Sequence, residues 1–218
     1  MPLGKQMKTR DRIVQCALAL FNEQGERHIT TNHIANHLDI SPGNLYYHFP
    51  NKQAIINEIF TIYAKELLTQ FTPKKHQQDS LMMFKSYLDA IFNLMWKYRF
   101  FYANLPQILQ QDDQLHQQYI EVQRQTKRNL RDIFSTFIEM NLVEIKQQEL
   151  DTVITSLHMI ISCWLSYQSS ISLTSDITES VIRQGIQQLT AMLIPFATEQ
   201  GKQQLTQLEI TIKQYHST

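Results

Sequence analysis

The sequence predicts an all-α protein in two parts, a small N-terminal three-helix domain built round a helix-turn-helix and a larger helical domain behind it. Three observations carry this. Only 5 Gly and 6 Pro occur in 218 residues, too little punctuation for a chain of hairpins. Apolar residues recur at i, i+3 or i+4, and i+7, the repeat of an amphipathic helix. Strand-like alternation of apolar and polar residues is hard to find.

Residues 9–24 carry Ile13, Ala17, Leu20 and Phe21 on one stripe, and Gly25 supplies the helix stop. Thr30 or Thr31 caps a short helix whose inner side is Ile34, Ala35 and Leu38. Ala35 is small enough to let a second helix cross close by. Asp39 sits where the chain turns and tolerates a left-handed conformation better than most residues. Ser41 caps the next helix, and Pro42 fits its first turn, where an N–H is not needed. Leu45 and Phe49 face inward, and Pro50 ends the helix. A long helix then spans about 52–71 with Ile55, Ile59, Ile62 or Tyr63, and Leu67 on its stripe. The polar stretch 72–80 reads as a linker. Helices follow at about 80–97, 101–110, 113–140, 147–171, 177–197 and 202–216, the last either packed or frayed. A break is expected at Asn104-Leu105-Pro106. The domain boundary is expected at 53/54, giving domains 1–53 and 54–218.

Composition excludes several classes. Cys16 and Cys163 are distant, in apolar helical patterns, with no C-x-x-C or His-rich spacing. They read as two buried small residues, so neither a disulfide framework nor a metal site is expected. No apolar leader and no run near the ~20 residues of a membrane helix is visible, so a cytoplasmic protein with no membrane contact is expected. No nucleophile elbow, Gly-rich phosphate loop or H-E-x-x-H is present, which argues against an enzyme, and no cofactor is expected. Net charge is zero. The first 52 residues nevertheless hold six Lys/Arg against four Asp/Glu, which marks that end for inspection.

That end contains "SPGNLYYHFPNK", residues 41–52. With Leu45 and Phe49 turned inward, Pro42, Gly43, Asn44, Tyr46, Tyr47 and His48 face out. The second helix of a helix-turn-helix lies in the DNA major groove. Gly43 lets backbone approach closely. Tyr and His reach phosphates while their rings pack on sugar or thymine methyl groups. Lys52 is placed for a phosphate, as are the hydroxyls of Thr30 and Thr31. The competing reading is that Tyr46 and Tyr47 merely pack on the following helix.

The stretch "ITTNHIANHLDISPGNLYYHFPNK" resembles the DNA-binding signature of the TetR family of bacterial transcription regulators, in register at the Thr, the Ile-Ala pair, the Ser-x-Gly start, the Leu-Tyr-x-His-Phe run and the closing Lys. Asp39 departs from the family's usual glycine. The resemblance implies phosphate contacts from Thr30, Thr31, Tyr47, His48 and Lys52, and base contacts from Pro42, Gly43, Asn44 and Tyr46. It also implies an N-terminal arm from Lys5, Lys8 and Arg10. A weakly basic domain needs two copies on double-stranded DNA with a palindromic operator, their recognition helices about 34–36 Å apart. Helices 147–171 and 177–197 are apolar nearly all round, which suits a four-helix homodimer interface.

The resemblance further implies a small-molecule effector whose binding releases a repressor from its operator. The apolar and aromatic residues Phe84, Tyr87, Ile91, Met95, Trp96, Phe101, Phe134, Phe137 and His158 are the expected lining. For any single one of them, and for His158 above all, plain core packing is the simpler reading. His116, Asp112 and Asp113 are expected to face solvent. The alternative function is a helix-turn-helix regulator controlled by a protein partner through a filled core.

Overall fold

The computed structural model describes residues 7–74, 79–172 and 176–214, with side chains through residue 207. Lys5 and the side chains of Leu208, Ile212 and Tyr215 lie outside the described residues. Ten α-helices occur among those described: α1 Thr9–Gln24, α2 Thr31–His37, α3 Pro42–His48, α4 Lys52–Gln70, α5 Ser80–Lys97, α6 Arg99–Gln110, α7 Asp113–Glu139, α8 Gln147–Ile171, α9 Glu179–Leu193 and α10 Glu199–Gln214.

The helix ends follow their capping chemistry. Ser41, Asn51, Asp79, Asp112 and Thr178 each accept a backbone N–H of the first turn of the following helix. Thr30 accepts from the His33 N–H while the His33 ring accepts from the Thr30 N–H, a reciprocal cap that settles Thr30 over Thr31. Gly25 closes α1 at φ 81°, a conformation in which a side chain is strained. Asp39 takes φ 54° in the turn between α2 and α3.

Departures from expectation have local causes. Helix α9 stops at Leu193 rather than 197, because Pro195 brings no N–H and the chain tightens into a 3-10 turn over Ile194–Phe196. Helix α10 starts at Glu199 rather than 202, its first turn fastened by Thr198 Oγ1, which accepts the Gly201 N–H at 3.1 Å. The break at 104–106 is a kink within α6, where Asn104 leaves helical geometry (φ −123°, ψ 16°) two residues before Pro106. On α4 it is Tyr63 that turns inward, while Ile62 is exposed.

Helices α1–α4 close on Ile13, Ala17, Phe21, Ile34, Ala35, Leu45, Phe49, Ile55 and Ile59, all at most 2% exposed. Each large apolar side chain so buried contributes roughly 1.5–3 kcal/mol, so the short α2 and α3 are held by this packing and not by propensity. Behind them α4 continues against α5 and α7, and α6, α8 and α9 complete the body. The α8–α9 crossing is close: a Cβ on Gly185 would stand 2.6 Å from the Trp164 ring, whose Nε1 donates to the Val181 carbonyl at 2.7 Å.

The cysteines and α9 differ from the sequence expectation. Neither cysteine is buried: Cys163 is exposed and Cys16 is half-buried. Helix α9 is not apolar all round either. Ile182, Ile186, Leu189 and Leu193 are buried within the chain, and Gln184, Gln187, Gln188 and Ala191 form its exposed face. On α8 the outward apolar residues are Met159, Tyr167 and Ile171, with Cys163 between them.

Candidate functional site

Helices α2 and α3 present one surface. Tyr47 is 85% exposed and Tyr46 48%, so the rings of this pair do not retire into the core. The Tyr46 hydroxyl lies 3.0 Å from Thr31 Oγ1, which ties α3 to α2 and sets both hydroxyls on the same face. Tyr47 stands edge-on to the half-buried His48, with ring centroids 5.1 Å apart. Pro42, Gly43 and Asn44 are exposed. A Cβ on Gly43 would meet nothing closer than Ser41 Oγ at 3.9 Å. Nothing inside the protein demands glycine there, and the bare backbone leaves room for something outside it to come close. Thr30 is exposed, but its hydroxyl is engaged in the α2 cap.

Two predicted contacts are otherwise engaged. Lys52 Nζ lies 2.6 Å from Glu26 Oε1 and 3.0 Å from the Glu26 carbonyl, and Glu26 is only 5% exposed. Its charge neutralises an internal acid. Arg10 lies inside α1, not in an arm: its guanidinium grips both carboxylate oxygens of Glu58 at 2.5 and 2.8 Å and covers the Phe49 ring at 4.7 Å. The pairing holds the Glu58 carboxyl below its ordinary range and pushes the Arg10 guanidinium higher still. Lys8 is exposed just ahead of α1.

Helices α1 and α4 are tied to the elements behind them by three sets of contacts. Asn22 on α1 donates to the Lys97 carbonyl at 2.8 Å and accepts from the Phe100 N–H at 3.1 Å, which brackets the α5–α6 junction. Asn57 on α4 donates to Asp112 at 2.9 Å. Asp112 is therefore not a free surface acid, and its bonds to the Leu115 N–H and Asn57 hold its carboxyl below the usual range. Lys97 reaches back to Glu66 on α4 at 2.5 Å. His116 and Asp113 are exposed, as expected.

The body holds a cavity of about 90 Å³ between α4, α5, α6, α7, α8 and α9. Phe84, Tyr87, Ile91, Phe134, Phe137 and His158 line it. Met95, Trp96 and Phe101 do not. Phe101 packs instead on Phe60, Tyr63 and Tyr119, and Trp96 lies beneath the Arg99 guanidinium at 4.3 Å. Met95 is buried away from the cavity. Tyr63 and Leu67 of α4 and Phe71 at its C-cap also line it, as do Tyr102, Gln123 and Thr126. The first three are legible in an i, i+4, i+8 spacing. The Tyr63 and Tyr102 hydroxyls pair at 3.1 Å, and burial pushes both phenols up. His158 bonds to Ser162 at 3.2 Å, and burial together with nearby Lys127 lowers its pKa, so the ring is neutral at pH 7. Among the described residues no cluster of His, Cys, Asp and Glu is arranged to hold a metal ion, and no helix is long and apolar enough to cross a membrane.

A helix-turn-helix that displays tyrosines, an amide and a bare glycine on its second helix defines a DNA-binding protein. Residues 13–59 match the family profile described as bacterial regulatory proteins, tetR family, and residues 62–205 match the one described as bacterial transcriptional repressor. A TetR-family transcriptional regulator of Marinobacter aquaeolei VT8 has 33% identity and TM-score 0.83, over 94% of this chain and 98% of that one. The chain belongs to the TetR family of bacterial transcriptional regulators. The HTH-type transcriptional regulator SAB2452 of Staphylococcus aureus is 36% identical over 73 residues, 34% of this chain and 38% of that protein. Among the first curated relatives it matches, the chain covers from 26% to 38% of their length. A transcriptional regulator of Saccharomonospora viridis in complex with choline shares the fold at TM-score 0.63 and 17% identity, over 84% of this chain and 95% of that one.

Proposed function

We propose that this protein is a repressor that binds a palindromic operator as a homodimer and releases it when a small, largely apolar effector enters the second domain. One observation carries the reading. The residues exposed on α3 are those a groove-reading helix needs, while Leu45 and Phe49 anchor its other side. Asn44, Tyr46 and the backbone at Gly43 meet base edges, and Tyr47, His48 and Thr31 meet phosphates. The outward faces of α8 and α9 form the dimer contact, where Met159, Tyr167 and Ile171 at 59, 53 and 60% exposure are an apolar strip that no element among the described residues covers. The apolar cavity supports a small-molecule effector over control by a protein partner. The boundary between domains falls within the first turns of α4, which belongs to both cores.

The test is fluorescence anisotropy with the DNA flanking the protein's own gene, together with size-exclusion chromatography. The expected result is a dimer whose affinity falls steeply with salt. A monomer that ignores this DNA at low ionic strength overturns the proposal.

A further inference from the structure

We infer that the effector is an amphipath with an anionic head, its apolar part in the interior cavity and its head between α7 and α8. This rests on the reading above that the cavity receives the effector.

The interior cavity does not stand alone. A second void, of about 420 Å³, opens between α7 and α8. The two share Gln123, Leu130 and His158, so they meet at those side chains. The outer void is also lined by the exposed Arg124 and Lys127, and no carboxylate lines it. Lys127 leans over the mouth toward Thr155 Oγ1 at 3.4 Å, and among the described residues Arg124 pairs with the exposed Glu121, also at 3.4 Å. Both cations have donors to spare. The inner cavity has the opposite character: its lining carries no charged side chain.

Where the voids join, Gln123 Oε1 is buried with no hydrogen-bond partner. An unpaired buried amide oxygen is costly, and a ligand that satisfies the amide gains that free energy. Turned over, the same amide donates to a carboxylate seated beside it. His158 is neutral there and does not oppose or attract the head strongly. An apolar slot, an unpaired amide at its neck and two cations at its mouth thus follow the order of an apolar part, a headgroup and its charge.

Isothermal titration calorimetry of the intact protein with octanoate, octanol and octylamine tests this, because the three share a tail and differ in charge. Octanoate should bind tightest, with octylamine weaker by about tenfold, or ~1.4 kcal/mol. Arg124→Ala with Lys127→Ala should lower octanoate affinity toward that of octanol and leave octanol unchanged. Phe134→Trp, or Leu130→Trp should the first not fold by circular dichroism, should abolish binding of both. Octylamine matching octanoate overturns the anionic head while leaving an effector cavity intact. Octanoate binding that survives both plugging variants, or no binding by any of the three, overturns the cavity as the effector site as well.

Discussion

Lys52→Ala separates two roles for one residue. In the structure the Lys52 ammonium and the nearly buried Glu26 carboxylate stand 2.6 Å apart. Two unit charges at that distance attract by ~6 kcal/mol at an effective dielectric near 20, before the cost of desolvation is subtracted. Removing one partner of a buried pair typically costs about 3–5 kcal/mol, because the other charge is left behind. The Lys52 side chain keeps 30% of its exposure, so the lower end applies, about 3 kcal/mol. Urea unfolding followed by circular dichroism measures it. Glu26→Gln should recover most of the loss in the double variant, since no uncompensated charge remains. A stability loss below about 1 kcal/mol, or no coupling between the two sites, refutes the reasoning. A lysine acting mainly on phosphate would instead lower the salt slope of DNA binding by about one and leave unfolding unchanged.

Tyr47→Ala should weaken operator binding by roughly 1–3 kcal/mol in gel-shift titration with an unchanged melting temperature, since its ring makes no core contact. Asp39→Gly should stabilise the turn by about 0.5–1 kcal/mol, seen as a raised melting temperature, because φ 54° strains any residue with a Cβ. Gly185→Ala should cost about 1–3 kcal/mol in urea unfolding, its new methyl forced against Trp164. Tyr63→Phe strands the buried Tyr102 hydroxyl and should cost about 1–3 kcal/mol, and Tyr102→Phe on top should restore part of it in thermal melts.

Local chemistry was the most legible part of this chain. Gly25, Ser41, Pro50 and the stripe Leu45–Phe49 mark the helix-turn-helix because caps and short-range spacing act within a few residues. The exposed face of α3 follows by subtraction. Partners distant in sequence were not legible. Nothing near Lys52 announces Glu26, and nothing near Arg10 announces Glu58. Aromatic density near 84–105 signalled an interior but not its shape: Phe84, Tyr87 and Ile91 turn toward the cavity, whereas Trp96 and Phe101 turn elsewhere on the same run of chain. The periodic apolar positions of α9 were consumed inside one protomer, so counting them overstated what was left for a second copy.

The Asn22 bracket gives the DNA-reading domain a second mounting point. Covalently, α4 alone joins head and body. Asn22 adds a separate fastening through α1 to the seam where α5 ends and α6 begins. A part fixed at two points can swing about the line between them but cannot twist freely around either. In the proposed dimer the pitch between the two heads would then follow the seam between α5 and α6 as well as the course of α4.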